Sequence, residues 1–143
     1  MLDVWFHKQA DDALFKFAVI ISRANDRWVF CKHRERTTYE CPGGHREPDE
    51  AIDDTARREL FEETGAIEFS LMRVCPYSVT DDTGERTETY GMLYYADVTR
   101  FGVLPDFEME KILLLEELPE CWTYPVIQPR LVERVREWLA DLT

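Results

Sequence analysis

Positive charge is scarce in this sequence: 17 Lys and Arg stand against 29 Asp and Glu, for a formal net charge of -12. Such a balance repels a phosphate backbone and an anionic membrane, which argues against binding to duplex nucleic acid and docking on lipid. A phosphorylated ligand is expected to arrive with cations. No run of 18 apolar residues occurs, and MLDVWFHKQADD has no basic start followed by an apolar stretch. Neither a membrane span nor secretion is expected. Cys31, Cys41, Cys75 and Cys121 form no CxxC pair and have no matching His spacing for zinc. They read as buried thiols in a reducing cytosol, so a cytoplasmic location is expected. His7, His33 and His45 have no evident catalytic partners, and no GxSxG elbow occurs, so no side-chain nucleophile is indicated. Internal repeats, linkers and low-complexity segments are also lacking.

What is present is enough for one core. The chain has 143 residues and is 45% hydrophobic and 13% aromatic, a globular balance that predicts a single domain over 1–143. FKFAVIIS (15–22) and RWVFCK (27–32), separated by Ala24-Asn25-Asp26, read as strand, turn, strand. HRERTT (33–38) is a polar connector and YECPGG (39–44) a tight loop. Pro48 and Asp49 supply a helix start and Gly65 a stop, with about four turns between them. Further strands are predicted near 67–77, 86–98 and 111–115, and a last amphipathic helix over 127–141 places Leu131, Val135, Trp138 and Leu139 on one face. That order predicts an α/β fold in which helices cover a mixed sheet.

The segment GHREPDEAIDDTARRELFEETGA (44–66) crowds eight carboxylates into little more than one helix. Its inward stripe at helical spacing is Ile52, Thr55, Ala56, Glu59, Leu60 and Glu63, with Glu62 at the edge. The first half of the face is therefore core and the second half carboxylate. Two unit charges 4 Å apart repel by about 1 kcal/mol in water and about 4 kcal/mol when partly buried, so Glu59, Glu62 and Glu63 need a counter-charge beyond Arg57 and Arg58. A hard divalent cation suits them, because Mg²⁺ takes oxygen ligands, keeps several waters and bridges carboxylates to substrate phosphates.

Gly44, five residues, Glu50, seven residues, Arg58-Glu59-Leu60, one residue, Glu62-Glu63, one residue, Gly65-Ala66 matches every fixed position of the Nudix box, and YECPGG resembles the loop before the box in MutT-like members. The order of elements from about 15 to 140 resembles the whole Nudix fold. This resemblance implies an α/β/α sandwich with a mixed sheet flanked by helices, and Mg²⁺- or Mn²⁺-dependent hydrolysis of a nucleoside diphosphate linked to another group. It implies that Glu59, Glu62 and Glu63 are metal carboxylates, with the Gly44 carbonyl a further ligand. Arg58 would orient them, and Glu50 would pair with Arg58 or act through a bound water.

MutT-like enzymes take another metal glutamate from a loop before a late strand. DFEMEKILLLEELPE (106–120) offers Glu108 and Glu110, and the resemblance favours Glu108. Among Lys32, His33 and Arg34, where similar enzymes place phosphate contacts, the fork of Arg34 suits phosphate best. Cys41 stands just before the PGG turn, where enzymes that favour oxidised guanine nucleotides often carry an aromatic. Tyr39, or Trp28, Tyr77 or Tyr90, is then the candidate to stack on a base, and Arg34, Tyr39 and Cys41 are the expected substrate contacts. TYPVIQP (123–129) reads as a fixed lead into the last helix, without chemistry.

The expected substrate is a small nucleotide: a (deoxy)nucleoside triphosphate, oxidised purine forms included, cleaved to a monophosphate and pyrophosphate by a monomer or homodimer. The rival enzymes cleave nucleotide sugars, dinucleotides or 5′-triphosphate RNA ends. A non-catalytic nucleotide sensor is the rival of another class, but sensors commonly lose box glutamates and a regulator is expected to append a DNA-binding segment.

Overall fold

A computed structural model describes residues 1–142. The elements run β1 (Leu2–Phe6), β2 (Phe15–Ala24), β3 (Arg27–His33), β4 (Tyr39–Glu40), β5 (Gly43–His45), α1 (Ile52–Thr64), β6 (Ala66–Asp81), β7 (Thr87–Phe101), β8 (Met109–Leu115) and α2 (Gln128–Asp141). The FKFAVIIS run is apolar on both faces because β2 lies inside the sheet, paired in parallel with β7 from Phe15 to Arg23. Its residues Ala18, Ile20 and Ala24 join Ile52, Ala56 and Leu60 of α1 in one core. Ile21, on the opposite face, joins Leu131, Val132 and Val135 of α2 in a second. These are the two outer layers of an α/β/α sandwich over a mixed sheet, as expected.

Asn25 and Asp26 both have positive φ, 51° and 64°, the pair of left-handed residues that a tight two-residue hairpin requires. Beyond this turn β2 and β3 remain partners only at Arg23–Trp28 and Ala24–Arg27. They then diverge: β5 pairs with β2 at residues 17–19, while β4 and β8 pair with β3. The segment carrying β4, the PGG turn and β5 thus wedges into a fork, and the principal cavity opens there.

Three differences from the sequence reading have physical causes. β1 was not anticipated; five residues carry little local signal, and the strand is fixed by antiparallel pairing with β6 from Leu2–Asp81 to Phe6–Tyr77. Helix α1 begins at Ile52, later than Pro48-Asp49 suggested, because Asp49 takes φ 64° and the Glu50 carboxylate accepts from Glu47 N–H, closing a turn ahead of the helix. Cys121 is exposed, unlike the buried Cys31, Cys41 and Cys75. Among the described residues no helix is long and apolar enough to cross a membrane.

Candidate active site

Helix α1 buries Ile52, Thr55, Ala56, Leu60, Glu63 and Thr64, so its inward face changes from apolar to acidic along its length, as the spacing predicts. Arg58 organises the acids on the flank. Its Nε and Nη2 donate to the two oxygens of Glu50 at 2.8 and 3.0 Å, and Nη1 donates to Glu59 Oε1 at 2.7 Å and Glu62 Oε2 at 3.3 Å. The remaining Nη2 proton goes to the His45 carbonyl at 3.0 Å, so every donor of the guanidinium is used. Glu50 also accepts from Thr55 Oγ1 and Glu47 N–H. Arg58 above all, with these donors, holds the Glu50 carboxyl down at about 2. Glu50 in turn raises the Arg58 guanidinium. Of the two roles open to Glu50, the pairing with Arg58 is present.

Glu63 has the opposite surroundings. Its carboxylate is buried, with one good partner, Gly43 N–H, which donates to Oε1 at 2.8 Å. Burial pushes the Glu63 carboxyl up to about 9, and the nearby Glu59, Glu40 and Glu108 add to the rise. Glu59 is raised too, by burial first and then by Glu62 and Glu108, against the pull of Arg58. Two box glycines make this crowding possible. A Cβ on Gly44 would fall on the Glu59 carboxylate. Gly65 adopts φ 76° to end α1, and a Cβ there would meet the Gly102 and Val103 carbonyls at 3.1 Å, closing the route by which the chain returns towards Glu108.

These groups suit a hard cation. The donors are oxygens, Glu59 and Glu63 are drawn away from water with the exposed Glu108 raising both, and the backbone at Gly44 lies against Glu59. Among the described residues no three His, Cys, Asp or Glu side chains come together as a ready-made metal-ligand set. Arg58 holds Glu59 and Glu62 while Gly43 holds Glu63. An open half-shell is what Mg²⁺ chemistry needs, since that ion retains waters and completes its shell with substrate phosphate.

The carboxylates line a cavity of about 710 Å³. Phe17, Val19, Tyr77, Val79, Ile127 and Cys41 of the α2-side core line it as well, together with Gln128. Gln128, the first residue of α2, is buried, and its Oε1 accepts from Cys41 N–H at 2.8 Å, which leaves the Nε2 donors for a ligand. Arg36 brings a guanidinium to the lining, and the His33 ring borders the cavity too. Desolvation opposes the Arg36 charge, but the Glu40 carboxylate, which accepts from Nη1 at 3.0 Å, and Tyr124 outweigh it and raise the guanidinium.

Of the expected site residues, Gly44, Glu59, Glu63, Arg58, Glu108 and Cys41 border this cavity, and Glu62 and Glu50 join it through Arg58. Glu110 instead pairs with Lys32 at 3.3 Å. Arg34 does not line the cavity; its guanidinium turns to Asp106 and the Phe107 carbonyl, and Arg36 takes the lining position. Tyr39 packs against the α2-side core and exchanges backbone bonds with Cys121 and Thr123. Trp28 lies beneath Arg23 and Arg136, and Tyr90 stacks on His7, which leaves Tyr77 as the aromatic of that group at the cavity. Glu40, Arg36 and Gln128 were missed. For Gln128 a signal existed: it lies three and four residues before Leu131 and Val132, on the inward face of α2.

Comparison with known proteins identifies the fold and the family. YtkD of Bacillus subtilis (strain 168), which carries the provisional name 8-oxo-dGTP diphosphatase, is 36% identical over 106 residues, 73% of this chain. The match spans 65% of that relative's length. The crystal structure of the B. subtilis pyrophosphohydrolase BsRppH (E68A mutant) superposes with a TM-score of 0.78 at 27% identity, covering 95% of this chain and 90% of that one. The NUDIX domain of Shewanella oneidensis NrtR, solved with ADP ribose, shares the fold at 16% identity and a TM-score of 0.61, covering 92% of this chain and 94% of its own. The NUDIX domain pattern matches residues 15–139, from the first residue of β2 into α2, and with the box acids gathered at the fork of the sheet, this chain belongs to the NUDIX domain family.

Proposed function

We propose that the chain is a divalent-metal-dependent pyrophosphohydrolase of nucleoside triphosphates, oxidised purine forms included, releasing a monophosphate and pyrophosphate with Mg²⁺ or Mn²⁺. The observation that carries this reading is that one cavity is lined both by carboxylates, Glu59, Glu63 and Glu108, and by apolar and aromatic side chains of the α2-side core beside one fixed amide, Gln128. Glu59, Glu62, Glu63, Glu108 and the Gly44 carbonyl would hold the cation. When bound, it neutralises phosphate oxygens and polarises a water. The chain's own groups do the remaining work. Arg58 holds Glu59 and Glu62 in place, and Gly43 N–H fixes one oxygen of Glu63. Arg36 supplies a guanidinium for phosphate oxygens. Phe17, Tyr77 and Ile127 exclude water from a flat base, and Gln128 Nε2 donates to a carbonyl of an oxopurine.

A panel of (deoxy)nucleoside triphosphates, their oxidised forms, nucleotide sugars, dinucleotides and 5′-triphosphate RNA, assayed with Mg²⁺ and Mn²⁺ and with products identified, tests the assignment. Pyrophosphate released from oxopurine triphosphates is the expected result. Turnover confined to nucleotide sugars, dinucleotides or RNA ends transfers the assignment to that class, and tight binding without turnover of any compound makes the chain a sensor.

A further inference from the structure

Between β7 and β8 the chain passes the C-terminal end of α1 as a short strap, residues 102–108, tied at both ends. At the first, Gly102 N–H donates to the Gly65 carbonyl at 2.7 Å. At the second, Arg34 makes all the ties. Its backbone N–H donates to the Glu108 carbonyl at 3.0 Å, its Nε donates to the Phe107 carbonyl at 3.0 Å, and its Nη2 donates to Asp106 Oδ1 and closes an ion pair. Leu104 and Pro105 are half-buried where the strap passes Gly65, but Val103 is 92% and Phe107 58% exposed, so the 106–108 corner has little packing of its own. The strand beside Arg34 is irregular as well. Lys32 faces Lys111 but His33 faces Met109, so Glu110 is an extra residue on β8. This bulge sends Glu110 to Lys32 while Glu108 borders the cavity.

We propose that Arg34 is a positioning residue for the hydrolytic reaction, clamping the 106–108 corner so that the Glu108 carboxylate stays beside Glu59 and Glu63. The inference rests on the reading of Glu108 as a cation ligand. In the ionised form that a metal site needs, these acids repel Glu108, and an untied strap would swing outward to relieve that repulsion. Arg34 prevents this by gripping backbone carbonyls and the side chain of Asp106, so it leaves the charge of Glu108 free for the metal. Arg58 works the other way, bonding the carboxylates directly. A lysine keeps the attraction to Asp106 but lacks the planar fork that reaches Phe107 as well. The backbone tie to Glu108 survives any substitution at Arg34, so the side chain's share of the clamp is the Nε bond to the Phe107 carbonyl together with the exposed, individually weak Asp106 pair.

The test compares the full chain with Arg34→Ala, Arg34→Lys, Asp106→Asn, Glu108→Gln and the double variant Arg34→Ala/Glu108→Gln. The readouts are Mn²⁺ binding without substrate, hydrogen exchange at residues 106–109, and kcat and KM on the best nucleotide of the panel. Arg34→Ala should weaken Mn²⁺ binding by about 10- to 100-fold, the scale for loss of a group that orients a ligand. It should speed exchange at 106–109 and lower kcat more than it raises KM. Arg34→Lys should fall between it and the parent, and Asp106→Asn should be the mildest. In the Glu108→Gln background, removing Arg34 should cost no further Mn²⁺ affinity. A rise in KM alone with Mn²⁺ binding intact makes Arg34 a phosphate contact and overturns the clamp. A full Arg34 effect persisting in the Glu108→Gln background also overturns it. If Glu108→Gln itself binds Mn²⁺ and turns over normally, the ligand reading fails first, and the clamp with it. If Glu108→Gln is impaired while Arg34→Ala is normal, the clamp fails alone. Should Arg34→Ala not fold, Arg34→Lys decides by the same measurements.

Discussion

Glu50 and Glu63 lie on opposite sides of the same box and have opposite fates. Glu50 has both oxygens on Arg58 and further donors from Thr55 and Glu47, and its carboxyl sits at about 2. Glu63 is buried among other acids with one backbone N–H, and its carboxyl sits at about 9. The residue type is the same, so the difference lies in what surrounds it. A carboxylate whose charge is already answered by the protein is part of the framework, and one left unanswered beside a cavity is prepared for a ligand that brings positive charge.

The strongest test of that contrast is Glu63→Gln, which keeps volume and the Gly43 contact but removes charge. Its kcat should fall by at least about 10²-fold, the scale of one lost electrostatic contact in a transition state, while circular dichroism remains that of the parent. Parent-like turnover would break the contrast. Next is Arg58→Met, which leaves Glu50 without its partner. Chemical denaturation should show a loss of about 2 kcal/mol, as expected for stranding a partly buried ionised group. Saturating Mg²⁺ or Mn²⁺ should raise the melting temperature of the parent, by the equivalent of about 2.7 kcal/mol at a hundred times the dissociation constant. The gain should be much smaller in Glu63→Gln, and an equal gain in both would place the cation elsewhere.

The pH dependence sharpens the other side of the comparison. Because the folded carboxyl of Glu50 lies below the ordinary 4.5, its contribution is fully present above that value and is lost as pH falls towards about 2. Glu50→Gln should therefore flatten stability against pH over this acid window, measured by urea titration at each pH. The smallest expected effect concerns the one amide in the cavity lining. Gln128→Leu should narrow the preference for oxopurine over adenine triphosphates by about tenfold, the worth of one hydrogen bond in discrimination, as read from kcat/KM on the two substrates.

The two parts of the cavity lining were unequally legible in the sequence for a physical reason. The acidic part is built mostly from one continuous segment, where helical spacing alone turns Glu59 and Glu63 inward, and the glycines at 44 and 65 mark its limits. The apolar part draws Phe17 from β2, Tyr77 and Val79 from β6, and Ile127 and Gln128 from the start of α2. Only the packing of the sheet unites them. Arg34 and Arg36 illustrate the limit. Both suit phosphate by chemistry, and what separates them is the path of the connector after β3, beside a one-residue bulge that leaves no local trace. β1 depends in the same way on β6, some 75 residues away along the chain. The fold's larger elements, by contrast, follow from apolar runs and periodicity within each segment.

The fork between β2 and β3 has a consequence for how the molecule assembles. The two strands can meet early at the Asn25-Asp26 turn, since they are neighbours in the chain. Their separation must wait until β5 adds to β2, and β2 must find β7 across a parallel register that joins Phe15 to Tyr90. Pairings that close such long loops are slow. The carboxylates of α1 are neighbours through helical spacing alone, whereas the cleft beside them comes into being only when these long-range pairings close.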